Sequence, residues 1–149
     1  MVKCSEVMTE NPVCCLTDDS VERIAQWMQT EDIGAIPVVD NYQARRLIGI
    51  VTDRDLTLRV MGLRRDAKDT LVGDVMTSRP VACSPSDDLE AVMDVMSQHQ
   101  IRRIPVVEAN GQLVGIISQA DLATRLRDPH KAADVLQEVS QPNPLVVHS

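Results

Sequence analysis

Gly49-Ile50-Val51-Thr52-Asp53-Arg54-Asp55 returns later in the chain as Gly115-Ile116-Ile117-Ser118-Gln119-Ala120-Asp121. In each copy a glycine and two apolar residues read as the end of a buried strand. A hydroxyl, two variable residues and an aspartate then turn the chain into a helix. A hydroxyl and a carboxylate at such a corner can hold the polar parts of a small ligand. The same pair also fits a capping box, worth about 1 kcal/mol to the helix with no ligand present. Both readings stay open at this level, and they do not exclude each other.

Working outward from these corners, the whole chain is seen to be doubled. Val7 to Val39 aligns without a gap to Val75 to Val107, with Met8/Met76, Pro12/Pro80, Cys15/Cys83 and Ile36-Pro37-Val38-Val39/Ile104-Pro105-Val106-Val107 among the identities. The first copy then carries two more residues in a loop, so that Leu47 matches Leu113. Self-similarity of this extent means two copies of one fold unit.

Each copy predicts the same elements. A lead-in helix (Ser5 to Met8; Gly73 to Met76) precedes a short strand at Val13 to Cys15, or Val81 to Cys83. A helix follows, with Asp18 or Ser86 as the expected N-cap. Val21, Ile24, Ala25 and Met28, and again Leu89, Val92, Met93 and Met96, fall at the spacing of one helical face, so these methionines are core. Two strands come next, Ala35 to Asp40 with Arg46 to Val51, and Arg103 to Glu108 with Gln112 to Ile117. Asn110-Gly111 is a strong hairpin-turn signal between the second pair. A last helix starts at Asp53 or Gln119.

The expected architecture is α+β: two tandem strand-helix-strand-strand-helix repeats, packed sheet to sheet with pseudo-two-fold symmetry. The first unit, with its lead-in helix and linker, takes residues 1–68 and the second residues 69–128. Residues 129–149 are left as a C-terminal helix, roughly Lys131 to Val139, and a tail ending in the apolar Leu145-Val146-Val147. Met61 to Thr70 is charged and reads as an exposed linker.

Composition narrows the function. The chain has 149 residues and a net charge of -7, with no Phe and with Trp27 and Tyr42 as its only aromatics. The core is therefore aliphatic. Acidic balance and scarce aromatics argue against nucleic-acid binding by a broad basic surface or by base stacking. No apolar run is long enough for a membrane span, and the polar N-terminus is no signal peptide, so a cytoplasmic protein is expected. Cys4, Cys14, Cys15 and Cys83 lack zinc-site spacing and read as small core residues of a reducing compartment, with a redox role left open. The histidines His99, His130 and His148 are scattered, and no Ser or Cys has a His–acid partner nearby. Neither a catalytic constellation nor a metal site is found, and an enzyme is not expected.

Paired copies of M-T-x-x-P-V, h-P-V-V and G-h-h-[ST]-x-x-D resemble tandem CBS domains, the pair called a Bateman module. The resemblance runs from about Val2 to Arg127, in the manner of the small stand-alone two-CBS proteins of bacteria and archaea. It implies a homodimer that senses an adenosyl ligand between its repeats and signals to a regulated protein. AMP, ADP, ATP or S-adenosylmethionine are the candidate ligands, and no cofactor is required. By the same resemblance, Asp55 and Asp121 accept hydrogen bonds from ribose hydroxyls, and Thr52 and Ser118 face ribose or phosphate. Ile36, Pro37 and Val13 in one cleft, and Ile104, Pro105 and Val81 in the other, line an apolar slot for adenine.

Basic residues separate the two clefts. Arg54 stands where the second copy has Ala120, and Arg102-Arg103 stand where the first copy has Gly34-Ala35. In the resembled family a basic residue before the h-P-V strand reaches the phosphates of a nucleotide held by the other repeat. The Asp55 cleft, gathering Thr52, Arg54 and Arg103, is therefore expected to be the better phosphate site. The alternative for Arg102 and Arg103 is a solvated strand start paired with acids such as Glu108, while Arg45, Arg46, Arg64 and Arg65 read as surface charges. Two other readings of the whole protein remain: a structural or interaction module of the same fold without ligand, and a redox-responsive module using Cys14, Cys15 or Cys83.

Overall fold

The computed structural model describes residues 1–125. A 3-10 turn (Cys4–Glu6) leads into β1 (Thr9–Glu10), α1 (Val21–Glu31), β2 (Ala35–Val39), β3 (Leu47–Thr52) and α2 (Asp53–Leu56), which runs on as a π-turn (Thr57–Met61). The second half repeats this order with α3 (Val72–Val75), β4 (Thr77–Ser78), α4 (Leu89–His99), β5 (Arg103–Val107), β6 (Leu113–Ser118) and α5 (Gln119–Arg125). The helix expected at Lys131 to Val139 and the Leu145-Val146-Val147 tail lie outside the described residues.

Two expectations about local structure are corrected. Val13 to Cys15 and Val81 to Cys83 form no strands; each contributes a single parallel bridge, Cys15 to Val38 and Cys83 to Val106. Pro12 and Pro80 bring no N–H to a ladder. On the far side the chain turns at once, because Asp19 accepts from the Leu16 N–H at 2.9 Å and Asp87 from the Ser84 N–H at 2.8 Å. Those turns also move the helix starts. Ser20 caps α1 by accepting from the Arg23 N–H, and Asp88 caps α4 by accepting from the Glu90 N–H. Asp18 and Ser86, the expected caps, sit inside the preceding turns.

The helical stripes are as expected apart from Ala25, which is exposed. Val21, Ile24 and Met28 pack with Ile36, Val38 and Val51, and Leu89, Val92, Met93 and Met96 pack with Ile104, Val106 and Ile117. Each unit thus has its own aliphatic core beneath its sheet. A third cluster of Cys14, Val39 and Leu113, flanked by Leu16, Leu47 and Val107, joins the sheets to each other. Asn110-Gly111 forms its turn, with Gly111 at φ +87° and Asn110 Oδ1 accepting from the Gln112 N–H.

Short edge strands are exchanged between the units. β1 pairs antiparallel with β6 of the second unit, and β4 pairs with β3 of the first, giving sheets ordered β1-β6-β5 and β2-β3-β4. The hairpins also meet: the Leu47 N–H donates to Gly111 O at 3.0 Å, and the Leu113 N–H donates to Arg45 O at 2.8 Å. Arg45 is not the surface charge expected. It is half-buried, at φ +53°, and its Nη2 donates to Pro12 O at 3.2 Å. It therefore belongs to the joint between the units.

Candidate functional site

β3 ends at Thr52 because Thr52 Oγ1 accepts from the Asp55 N–H at 3.1 Å while the Asp55 carboxylate accepts from the Thr52 N–H at 3.0 Å. The matching corner is built alike. Ser118 Oγ accepts from the Asp121 N–H at 3.3 Å, and Asp121 Oδ2 accepts from both the Ser118 N–H and the Ser118 hydroxyl at 3.0 Å. The capping reading is thus realised at both corners. Capping uses Asp55 Oδ2; the other oxygen, Oδ1, faces Arg59 Nε at 3.9 Å. Arg59 in turn donates to Val75 O and Met76 O, so one guanidinium ties the first corner to the end of α3. Asp55 is 9% exposed, a carboxylate held at a buried but not sealed position.

The corners differ in what stands beside them. Arg103 pairs through its backbone with Ser118 of its own sheet. Its guanidinium nevertheless crosses to the first unit: Nη2 and Nη1 lie 3.1 and 3.3 Å from where a Cβ on Gly34 would stand, and Asp53 Oδ2 lies 2.9 Å from the same point. Gly34 itself accepts the Asp53 N–H at 2.9 Å, so the guanidinium sits over the start of α2. Arg54 is exposed on the same turn. At the other corner the Gln119 N–H donates to Arg102 O in the same way, yet the residue in Arg103's place is the buried Ala35. The alternative pairing of Arg102 and Arg103 with Glu108 does not occur: Glu108 lies beyond the opposite end of β5, and neither arginine has an ion pair among the described residues.

Ile36 and Ile104 are fully buried in the cores beneath their own sheets. Alternation along a strand puts the buried Pro37 and Pro105 on the opposite faces, toward the other unit. Val13 is 39% exposed, whereas Val81 packs against the second core.

Three site residues were not anticipated from the sequence, the first being Arg59 beside Asp55. Asp53 sets a carboxylate beside Arg103, and Gln119 holds the equivalent place with its Nε2 buried and without a hydrogen-bond partner among the described residues. The position of Asp53 and Gln119, first in the helix between the hydroxyl and the aspartate of the repeated motif, was the available signal. No group of three or more His, Cys, Asp or Glu side chains placed to hold a metal occurs among the described residues. Nor is any described helix long and apolar enough to cross a membrane.

Comparison with known proteins agrees with this construction. The CBS domain profile matches residues 4–62 and 72–128. An uncharacterized protein of Bacillus subtilis, YlbB, is 36% identical over 141 residues, spanning 95% of this chain and 93% of its own. The crystal structure of Hypoxic Response Protein I with two coordinated zinc ions shares 28% identity, covers 84% of this chain and 99% of that one, and superposes with a TM-score of 0.75. The structure of CBSX2 in complex with AMP shares 26% identity over 92% of this chain and 98% of that one, with a TM-score of 0.71.

Proposed function

The chain belongs to the CBS domain family, and from that premise we propose that it is a ligand-sensing regulatory module, not an enzyme, that binds an adenine nucleotide between its repeats. The observation that carries this reading is the crossing of Arg103 from the second unit onto the Gly34–Asp53 corner of the first. A cation delivered from one repeat to the start of the short helix that carries the buried Asp55 of the other suits a ligand with a phosphate at one end and ribose hydroxyls at the other. CBSX2, of the same fold and nearly the same length, is a protein solved with AMP. The Asp55 cleft, with Thr52, Arg54 and Arg103, is the principal site. The Asp121 cleft, with Ser118 and no arginine at Ala35, is the weaker one.

Occupancy regulates a partner only if the ligand binds two arrangements of the repeats with different affinity. A homodimer in the cytoplasm is part of the proposal, and the exposed Leu58, Met61 and Leu63 supply apolar surface for self-association.

A second reading has its own support. Both corner aspartates already serve the backbone, so the fold needs no ligand to satisfy them. Thermal melting separates the two. A nucleotide at 100 times its dissociation constant adds about 2.7 kcal/mol, a rise of roughly 5–10 °C for a chain of this size. The proposal expects that rise with AMP, ADP or ATP, its loss in Asp55→Ala, and a smaller effect of Asp121→Ala. No rise with any of these or with S-adenosylmethionine would leave the ligand-free module standing, and the reverse ranking of the aspartates would move the site to the other cleft.

A further inference from the structure

Cys4 and Cys83 are 79 residues apart in sequence, yet their sulfurs lie 4.0 Å from each other, with the Cys83 thiol donating toward Cys4. Both are buried. Cys4 sits on the 3-10 turn of the N-terminal strap, which crosses to the second unit before β1 joins β6. Its N–H donates to Asp87 O at 3.0 Å, and Lys3 bridges to Asp88. The other two cysteines are not placed in this way, since Cys14 belongs to the cluster between the sheets and Cys15 to the core of the first unit.

We propose that Cys4 and Cys83 are a redox pair that a hydroperoxide converts to a disulfide, fastening the N-terminal strap to the second CBS unit. Access is provided by a pocket of about 250 Å³ lined by Cys83 with Ala82, Asp87, Asp88, Val92 and Ile104, many times the roughly 30 Å³ that a water molecule occupies. A small peroxide therefore reaches Cys83 without unfolding of the unit, and Cys4, fully buried 4.0 Å beyond it, is reached when the strap lifts. The thiols are also polarised unequally. The hydrogen bond from Cys83 holds the Cys4 thiol below its usual range against the opposing effect of burial, while the same bond and burial push Cys83 up. Cys4 is accordingly the nucleophile.

The chemistry closes with peroxide as the only oxidant. Cys4 sulfur attacks one peroxide oxygen and the O–O bond breaks; the thiol proton leaves with the other oxygen as water, and Cys4 becomes a sulfenic acid. Cys83 sulfur then attacks Cys4 sulfur and displaces the hydroxyl, which takes the Cys83 proton and departs as a second water. Two thiols and one hydrogen peroxide molecule give one disulfide and two waters, with two electrons passing from sulfur to oxygen; an organic hydroperoxide would give its alcohol in place of the first water. The sulfurs must approach to about 2.05 Å, and the strap, a short segment that packs Cys4 and Val7 into the second core, is the element that would have to shift. Because β1 lies on β6, the strand that leads to Ser118, the bond would tie thiol oxidation to the setting of the second corner. This is distinct from nucleotide binding and stands or falls without it.

The test treats the full-length native protein with hydrogen peroxide, then alkylates it under denaturing conditions for intact mass and non-reducing peptide mapping. Two of the four thiols should resist alkylation, one bridge should join Cys4 to Cys83, and dithiothreitol should restore all four. Cys4→Ala should abolish the bridge and leave Cys83 alkylatable, while Cys83→Ala should abolish it and leave Cys4 as a sulfenic acid that dimedone traps; should either variant fail to fold, the map of the unsubstituted chain decides alone. Amides of Met8 to Glu10 should exchange about tenfold more slowly in the oxidised form, since the strap can no longer lift. Full alkylation of all four thiols after peroxide, a bridge between another pair, or a sulfinic acid on Cys4 beside a free Cys83 would each overturn the proposal.

Discussion

Met8 lies across Gly115: its sulfur is 2.5 Å from where a Cβ on that glycine would stand, with Cγ and Cβ at 2.9 and 3.1 Å. Met76 lies in the same way over Gly49, at 2.6 Å. Each glycine of the repeated strand is thus the seat of a methionine from the strap of the other unit. The exchange of β1 and β4 depends on that clearance.

Gly115→Ala is therefore expected to overpack the joint. The Met8 sulfur can swing away, but its Cβ is fixed by the backbone of the strap. Such insertions cost about 1–3 kcal/mol. Urea denaturation should show a lowered midpoint for Gly115→Ala, and an unchanged midpoint would mean that the strap is not held by this contact.

Asp55→Asn separates capping from ligand binding. The amide oxygen can still accept the Thr52 N–H, so stability should fall by well under the roughly 1 kcal/mol of a lost cap. Replacing a charge-assisted acceptor of ribose hydroxyls by a neutral one should weaken nucleotide affinity by about tenfold. Calorimetric titration beside a melting curve reads both quantities. Loss of stability with affinity intact would assign Asp55 to the backbone alone.

Arg45→Met removes the donor to Pro12 O while keeping much of the aliphatic stem. The deletion should cost about 1 kcal/mol, read as a lower urea midpoint. A second variant, Arg45→Gly, relieves the positive φ but also loses the packing. Ranking Arg45→Gly below Arg45→Met in stability would locate the contribution in the side chain; the opposite ranking would locate it in backbone strain.

Alkaline pH should unfold the protein partly through Cys15. Burial first, then Asp19 and Cys14, push its thiol from 9.0 up to about 12. An acid raised on folding keeps its proton longer in the folded chain, so its stabilising contribution is complete below pH 9 and is lost as pH rises toward 12. Urea midpoints measured across that interval should fall, and the fall should be shallower in Cys15→Ala. Equal slopes for the two proteins would remove Cys15 from the account.

Much of this protein was legible in one dimension. The doubling was visible as paired identities, the helix faces as the spacing of Val21, Ile24 and Met28, and the two capping corners as Thr52-x-x-Asp55 and Ser118-x-x-Asp121. Each is a local property, set by backbone geometry within a few residues. Only the tertiary structure decided that Met8 and Met76 seat on glycines of the opposite unit, that Arg45 is part of the joint, and that Cys4 meets Cys83. It also brought the Arg103 guanidinium beside Asp53. These relationships join residues far apart in sequence through the packing of two near-identical sheets, and no periodicity along a chain records which face of one copy will come to rest on which face of the other.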